Sequence, residues 1–153
     1  MKYILGIMIF FSVLQSHIFC QERHLVDTLH YFLDLHTLTP KQFFSALKYN
    51  SDTAKGVKWV TVSWDAPKDW VQLDDVKYFM QYMDSTEKCK CIITVISSYL
   101  PFDDYSTLGG QAMNLIDSYR KNQPYFQGSW DCSKNDSLRV QEIKEWWESI
   151  NMK

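Results

Sequence analysis

The residues of this chain that could carry chemistry are its cysteines, its paired carboxylates and its loop aromatics. Cys89 and Cys91 lie two apart, and Cys132 follows some 40 residues later. Thiols in an exported protein meet conditions in which they pair. A bond from Cys132 to Cys91, or to Cys89 as the alternative, closes a loop that stabilises by roughly 3 to 4 kcal/mol on the chain-entropy argument. Residues two apart on extended backbone point to one side, so Cys89 and Cys91 compete for a single partner and one thiol stays free. A zinc site from the C-x-C pair, Cys132 and one of His24, His30 or His36 is disfavoured. The C-x-C gap is tighter than in structural zinc knuckles, and histidines six apart on a helix do not converge. No metal and no cofactor is expected.

Asp74-Asp75 and Asp103-Asp104 are the carboxylate pairs. Two carboxylates can divide acid and base roles in glycoside hydrolysis, but Asp74-Asp75 falls where a helix start favours acid, which gives it a structural role. No G-x-S-x-G, H-E-x-x-H, G-x-G-x-x-G, P-loop or C-x-x-C pattern occurs. The common hydrolase, zincin, dinucleotide, nucleotide and redox signatures are therefore missing. Aromatic residues make up 16% of the chain, and those in loops either fill a small core or meet a partner. The reading that follows is a non-enzymatic domain binding another protein through Trp64, Trp70, Tyr105, Tyr125, Phe126 and Trp130, with Asp103 and Asp104 as polar rim. A small secreted hydrolase using Asp103 and Asp104 on envelope glycans is the rival, and a structural lipoprotein anchored through Cys20 is the third reading.

The elements that hold these residues are read from periodicity. Leu25, Leu29, Phe32, Leu33 and His36 keep helical spacing and predict a helix from Glu22 to about Leu35. Thr39, Pro40 and Gln42 form a capping box with proline at the first helical position, and Leu38 can staple Phe43, so a helix runs from Pro40 to about Tyr49. Leu73, Val76, Phe79, Met80 and Met83 predict a third helix over 72–83. Leu108, Ala112, Leu115, Ile116 and Tyr119 predict a fourth, capped by Ser106 or Thr107. Gly109-Gly110 in its first turn lowers propensity, which implies a close approach of other backbone. A last helix carries Val140, Ile143, Trp146, Trp147 and Ile150 on one side and is capped by Asp136 or Ser137. Residues 57–64 and 91–97 are β-branched and read as short strands, although Cys91, Ile92, Val95, Ile96 and Tyr99 also fit a helix face. The expected fold is mainly α: one helical domain of about five helices, with one or two short strands.

Two stretches, Pro67-Lys68-Asp69-Trp70-Val71-Gln72-Leu73-Asp74-Asp75-Val76 and Ser106-Thr107-Leu108-Gly109-Gly110-Gln111-Ala112-Met113-Asn114-Leu115-Ile116-Asp117-Ser118-Tyr119-Arg120, resemble those of small exported bacterial proteins of unknown function. The resemblance covers residues 65–150. In build, a signal peptide followed by a small helical domain with one disulfide, the chain is also similar to periplasmic immunity proteins that block peptidoglycan-cutting toxins. The likeness to immunity proteins implies a protein partner and carries over no site residue.

Composition and address agree with this class. The chain has 153 residues, 46% hydrophobic and 22% charged, the make-up of a folded domain. Its net charge of −2 offers no basic field for nucleic acid. Lys2 followed by the apolar run Tyr3–Leu14 reads as a secretory signal peptide, with residues 1–20 removed and 21–153 left as a single globular domain of net charge −3. The run is too short for a transmembrane anchor. The expected location is periplasmic or secreted, with lipidation at Cys20 disfavoured by the bulky Ile18 and Phe19 before it.

Overall fold

In the computed structural model, residues 32–48, 58–63, 65–101 and 104–152 are described. The chain divides into Met1–Phe32 and Leu33–Lys153, and the account below concerns the second unit. Its elements are β1 (Phe32–Leu33), α1 (Pro40–Leu47), β2 (Trp59–Val62), α2 (Leu73–Phe79), β3 (Lys88–Cys89), β4 (Cys91–Thr94), β5 (Ser106–Thr107), α3 (Leu108–Arg120), β6 (Trp130–Asp131) and α4 (Ser137–Asn151).

The architecture is α/β and not mainly α. Four of the strands make a mixed sheet in the order β1-β2-β4-β6, and β3 and β5 form a separate antiparallel pair. β2 and β4 run parallel, with Val60 opposite Ile92 and Val62 opposite Thr94. A parallel pair needs a crossover, and α2 lies on it. Of the expected strands over 57–64 and 91–97, Trp59–Val62 and Cys91–Thr94 are strand, and the helical alternative for the second is excluded. The expected helix from Glu22 to Leu35 is corrected at its end, where Phe32–Leu33 is strand and Asp34 and Leu35 are not helical; residues 22–31 lie outside the described residues, as do Cys20, His24 and His30.

α1 begins as its sequence dictates. Thr39 Oγ1 accepts from the Gln42 main-chain N–H at 3.3 Å, and Gln42 Oε1 accepts from the Thr39 N–H at 2.9 Å. The helix buries Phe43, Phe44 and Leu47. Its C-terminal end is met by Lys90, whose Nζ donates to the Ala46 carbonyl at 3.2 Å. That last-turn carbonyl lacks a helical partner and carries the negative end of the dipole, so the lysine satisfies both. Burial holds the Lys90 ammonium below the ordinary lysine range. Lys41 and Asp75 link α1 to α2 at 3.5 Å. α2 stops at Phe79, a turn short of the expected Met83, although Met83 is still buried.

α3 is the central helix and packs against α1, α2 and α4. Leu108, Ala112, Met113, Leu115 and Ile116 are fully buried in one core with Phe43, Phe44, Val60, Val62, Phe79 and Ile92. Each large side chain so buried contributes about 1.5 to 3 kcal/mol. Thr107 caps α3 by accepting from Gly110 N–H at 3.1 Å, and Asp136 caps α4 by accepting from Leu138 N–H at 3.0 Å. A Cβ on Gly109 would lie 2.6 Å from both the Met83 and Ser85 carbonyl oxygens, and one on Gly110 would overlap the Ser133 carbonyl. The glycine pair therefore marks a close backbone approach, as its position implied.

Candidate binding surface

β6 organises the surface. It pairs antiparallel with β4, Ile92 opposite Asp131 and Ile93 opposite Trp130. One further step along this register sets Cys91 opposite Cys132, and these two form the disulfide, with Cα atoms 4.7 Å apart. That spacing belongs to a non-hydrogen-bonded rung, where side chains come closest. Register therefore decides between the two cysteines. Cys89, on β3, pairs instead with Ser106 on β5 and remains a free, buried thiol. Burial pushes that thiol up to about 12, so it is no nucleophile at neutral pH.

The inner face of β6 is pinned by polar contacts to α3. Asp131 Oδ2 accepts from Asn114 Nδ2 at 2.9 Å and from Gln111 Nε2, and Oδ1 accepts from Ser133 Oγ. Gln111, fully buried, also donates to Ser106 Oγ at 2.8 Å and accepts from Tyr125 Oη at 3.1 Å. Every interior polar group named here is thereby paired, as burial requires.

A cleft of about 220 Å³ opens beside β6, with Asn114, Asp117, Lys121, Trp130, Asp131 and Arg139 among its lining. Asp117 is nearly buried, and three cations converge on it: Arg139 Nη2 at 2.7 Å, Arg120 Nη2 at 2.8 Å and Lys121 Nζ at 3.1 Å. Burial alone would raise its carboxyl, but Lys121, Arg139 and Arg120 outweigh that and hold it below the usual carboxylate range. A second cleft of about 270 Å³ is bounded by Trp70 and Tyr119, and the two share Ser118, Gln123 and Pro124.

The expected binding residues separate into three groups. Trp64 and Asp103 lie outside the described residues. Tyr125, Phe126 and Trp70 are largely interior: Tyr125 and Phe126 belong to the core, and Trp70 packs against it. Trp70 stacks on Tyr125 at 5.8 Å, meets Phe43 edge-on at 5.7 Å and donates from Nε1 to the Leu38 carbonyl at 2.8 Å. Asp104 and Tyr105 stand together elsewhere. Lys134 Nζ holds the Asp104 carboxylate at 2.6 Å and lies 3.7 Å from the Tyr105 ring centroid, with Lys88 Nζ at 4.2 Å from the same ring. The hydrogen bond from Lys134 keeps the Asp104 carboxyl below its ordinary range. An ionised, lysine-bound carboxylate is a poor general acid.

Trp130 alone of the set is both described and strongly exposed, and the structure sets it beside Tyr99, which periodicity placed on a possible helix face and not at a binding surface. Its ring lies 4.4 Å from that of Tyr99. Val95 and Ile96 follow β4 directly, and Leu100 adjoins Tyr99. Ile96 is 84% exposed, Val95 55%, Trp130 47%, Leu100 43% and Tyr99 38%. Thr94 ties the two contributing segments together, its N–H donating to the Ser129 carbonyl at 2.8 Å. Residues 91–101 and 122–130 contain no Asp, Glu, Lys or Arg, in a chain that is 22% charged. The available signal was this uncharged run, longer than the four-residue strand it contains. The chain matches no protein-family model, no curated protein and no solved structure.

Proposed function

We propose that this protein is an exported, non-enzymatic binding domain that engages another protein through the uncharged surface of Trp130, Tyr99, Leu100, Val95 and Ile96. The observation that carries the reading is the exposure of these five large apolar side chains on two segments tied together at the sheet edge. Folded chains rarely leave such a surface open without a partner for it, and a Trp–Tyr pair is the residue chemistry of binding anchors. A cross-strand disulfide fits an oxidising location. No helix among the described residues is long and apolar enough to cross a membrane. The carboxylates offered for hydrolysis give little support to an enzyme, since Asp104 is held by Lys134 and Asp74 by Lys77.

Affinity capture with the tagged chain, from envelope and secreted fractions of its own cells, tests the reading. The expected result is a protein recovered in near-equal amount by the parent chain and lost with Trp130→Ala. Recovery unchanged by Trp130→Ala would overturn it.

A further inference from the structure

The cleft beside β6 and the cleft bounded by Trp70 and Tyr119 share Ser118, Gln123 and Pro124, so the two adjoin. Charge is the first limit on what the β6 cleft takes. Its ionisable lining is Lys121 and Arg139 against Asp117 and Asp131, two of each sign, so it carries no net charge to select an ion.

Hydrogen-bonding capacity is the second. Arg139 spends Nε and Nη2 on Asp117, at 3.0 and 2.7 Å, which leaves Nη1. Asn114 spends Nδ2 on Asp131 and Ser133, both at 2.9 Å, which leaves its side-chain carbonyl. The side-chain amides of Gln123 and Gln127 bond to no described residue, and each offers donors and an acceptor. The cleft thus presents unspent donors together with unspent acceptors. A ligand that matches it carries groups able to do both, and hydroxyls are such groups. Trp130 adds an exposed indole to the same lining, an apolar surface that suits the C–H face of a pyranose ring.

The walls are set before any ligand arrives. Gln123 N–H donates to the Ser118 carbonyl and Ser118 Oγ to the Gln123 carbonyl, each at 3.0 Å, and Ala66 N–H donates to the Tyr125 carbonyl. A wall fixed in this way loses little entropy on binding. At about 220 Å³ the β6 cleft is smaller than the sites that take drug-sized ligands. It has room for one sugar ring, and the adjoining cleft has room for a neighbouring one. Both carboxylates of the β6 cleft are already engaged, Asp117 by three cations and Asp131 by Gln111, Asn114 and Ser133. Neither is free to act as the acid that glycoside hydrolysis needs, so the cleft holds a sugar without cleaving it.

We propose that these adjoining clefts bind an uncharged saccharide of two or more rings, one ring resting on Trp130 and held through Asn114, Gln123, Gln127 and Arg139. The proposal goes beyond the protein-binding role and does not rest on it.

Titration calorimetry of the purified chain with cellotetraose, maltotetraose and chitotetraose, and with tetragalacturonate as an anion of the same length, tests it. Circular dichroism and a cooperative melt check that each variant folds. At least one neutral tetraose is expected to bind, and more tightly than tetragalacturonate. Trp130→Ala, and Gln123→Ala combined with Gln127→Ala, are each expected to weaken that binding by about 10-fold or more, through loss of the stacked ring or of two hydrogen bonds. No binding of any neutral tetraose, or binding of tetragalacturonate alone, overturns the proposal. So does binding that either variant leaves unchanged, since the sugar then lies outside this cleft. A chain that binds none of the sugars but captures a protein through Trp130 overturns the saccharide site and leaves the protein-binding role standing.

Discussion

Replacing Gly110 by alanine sets two effects of opposite sign against each other. Helix propensity alone favours alanine by up to about 1 kcal/mol. Against it, a Cβ at this position would overlap the Ser133 carbonyl and lie 3.0 Å from the Lys134 carbonyl carbon. Ser133 cannot easily retreat. Its carbonyl accepts from Thr107 N–H at 3.0 Å and from Ser106 Oγ at 2.6 Å, and the residue before it is bonded to Cys91. Overpacking against well-fixed atoms costs about 1 to 3 kcal/mol and occasionally more; with backbone on one side and a disulfide behind it, the upper part of that range applies. The net loss expected is about 2 kcal/mol, lowering the melting temperature by about 8 °C for a domain of this size, where each kcal/mol moves it by about 4 °C. Urea denaturation with an unchanged m-value would show that the loss is of stability and not of compactness. Gly109→Ala, facing the Met83 and Ser85 carbonyls at 2.6 Å, should behave alike. If Gly110→Ala melts with or above the parent, the close approach is wrong and propensity is the whole account.

Serine at both Cys91 and Cys132 should lower stability by about 3 to 4 kcal/mol, the loop-closure entropy of a 41-residue separation, measured by denaturant titration with and without reductant. Cys89, raised to about 12 by burial, should resist thiol reagents at neutral pH until the chain is unfolded; rapid labelling of the native protein at this residue would contradict its burial. Asp117→Asn leaves Arg120, Lys121 and Arg139 without their shared carboxylate and should cost about 3 kcal/mol at neutral pH, on the scale of breaking a buried pair. Because the folded Asp117 carboxyl lies below its unfolded value, its contribution is present above about pH 4 and is lost as the pH falls through the folded value, so the variant should flatten the acid limb of the stability curve. Among the described tryptophans Trp130 is the one strongly exposed, so Trp130→Phe should lower the fraction of emission quenched by acrylamide; an unchanged quenching curve would count against that exposure.

Local chemistry and the Cys91–Cys132 disulfide were legible in the sequence, and strand pairing was not. Thr39, Gln42, Thr107 and Asp136 cap as their types and spacing imply, because capping depends on residues three or four apart. Asp117 with Arg120 and Lys121 was readable at helical spacing, but Arg139, 22 residues on, was not. The same limit explains the fold class. A strand of two residues such as β3, β5 or β6 has no periodicity to detect, and β4 is apolar on both faces, so its run reads equally as a helix side. A mixed sheet assembled from such pieces is visible only through partners distant in sequence. Tyr125 and Phe126 show the same limit from the other side: aromatics in a loop look like surface, yet Tyr125 Oη reaches Gln111 and both rings join the core while also lining the cleft beside β6.

The disulfide bears on the surface as well as on stability. β6 is two residues long and could not hold a position by its own ladder. Cys132 fixes it from one end through Cys91, and Asp131 fixes its inner face through Gln111, Asn114 and Ser133, so Trp130 is delivered to the edge on a clamped backbone. An anchor held in place before contact loses less conformational entropy on binding than one on a free loop. Cutting the disulfide should therefore weaken any contact made through Trp130 even under conditions where the chain remains folded, whereas a contact made elsewhere, for instance at the Lys88–Tyr105–Lys134 cluster, has no reason to respond in the same proportion.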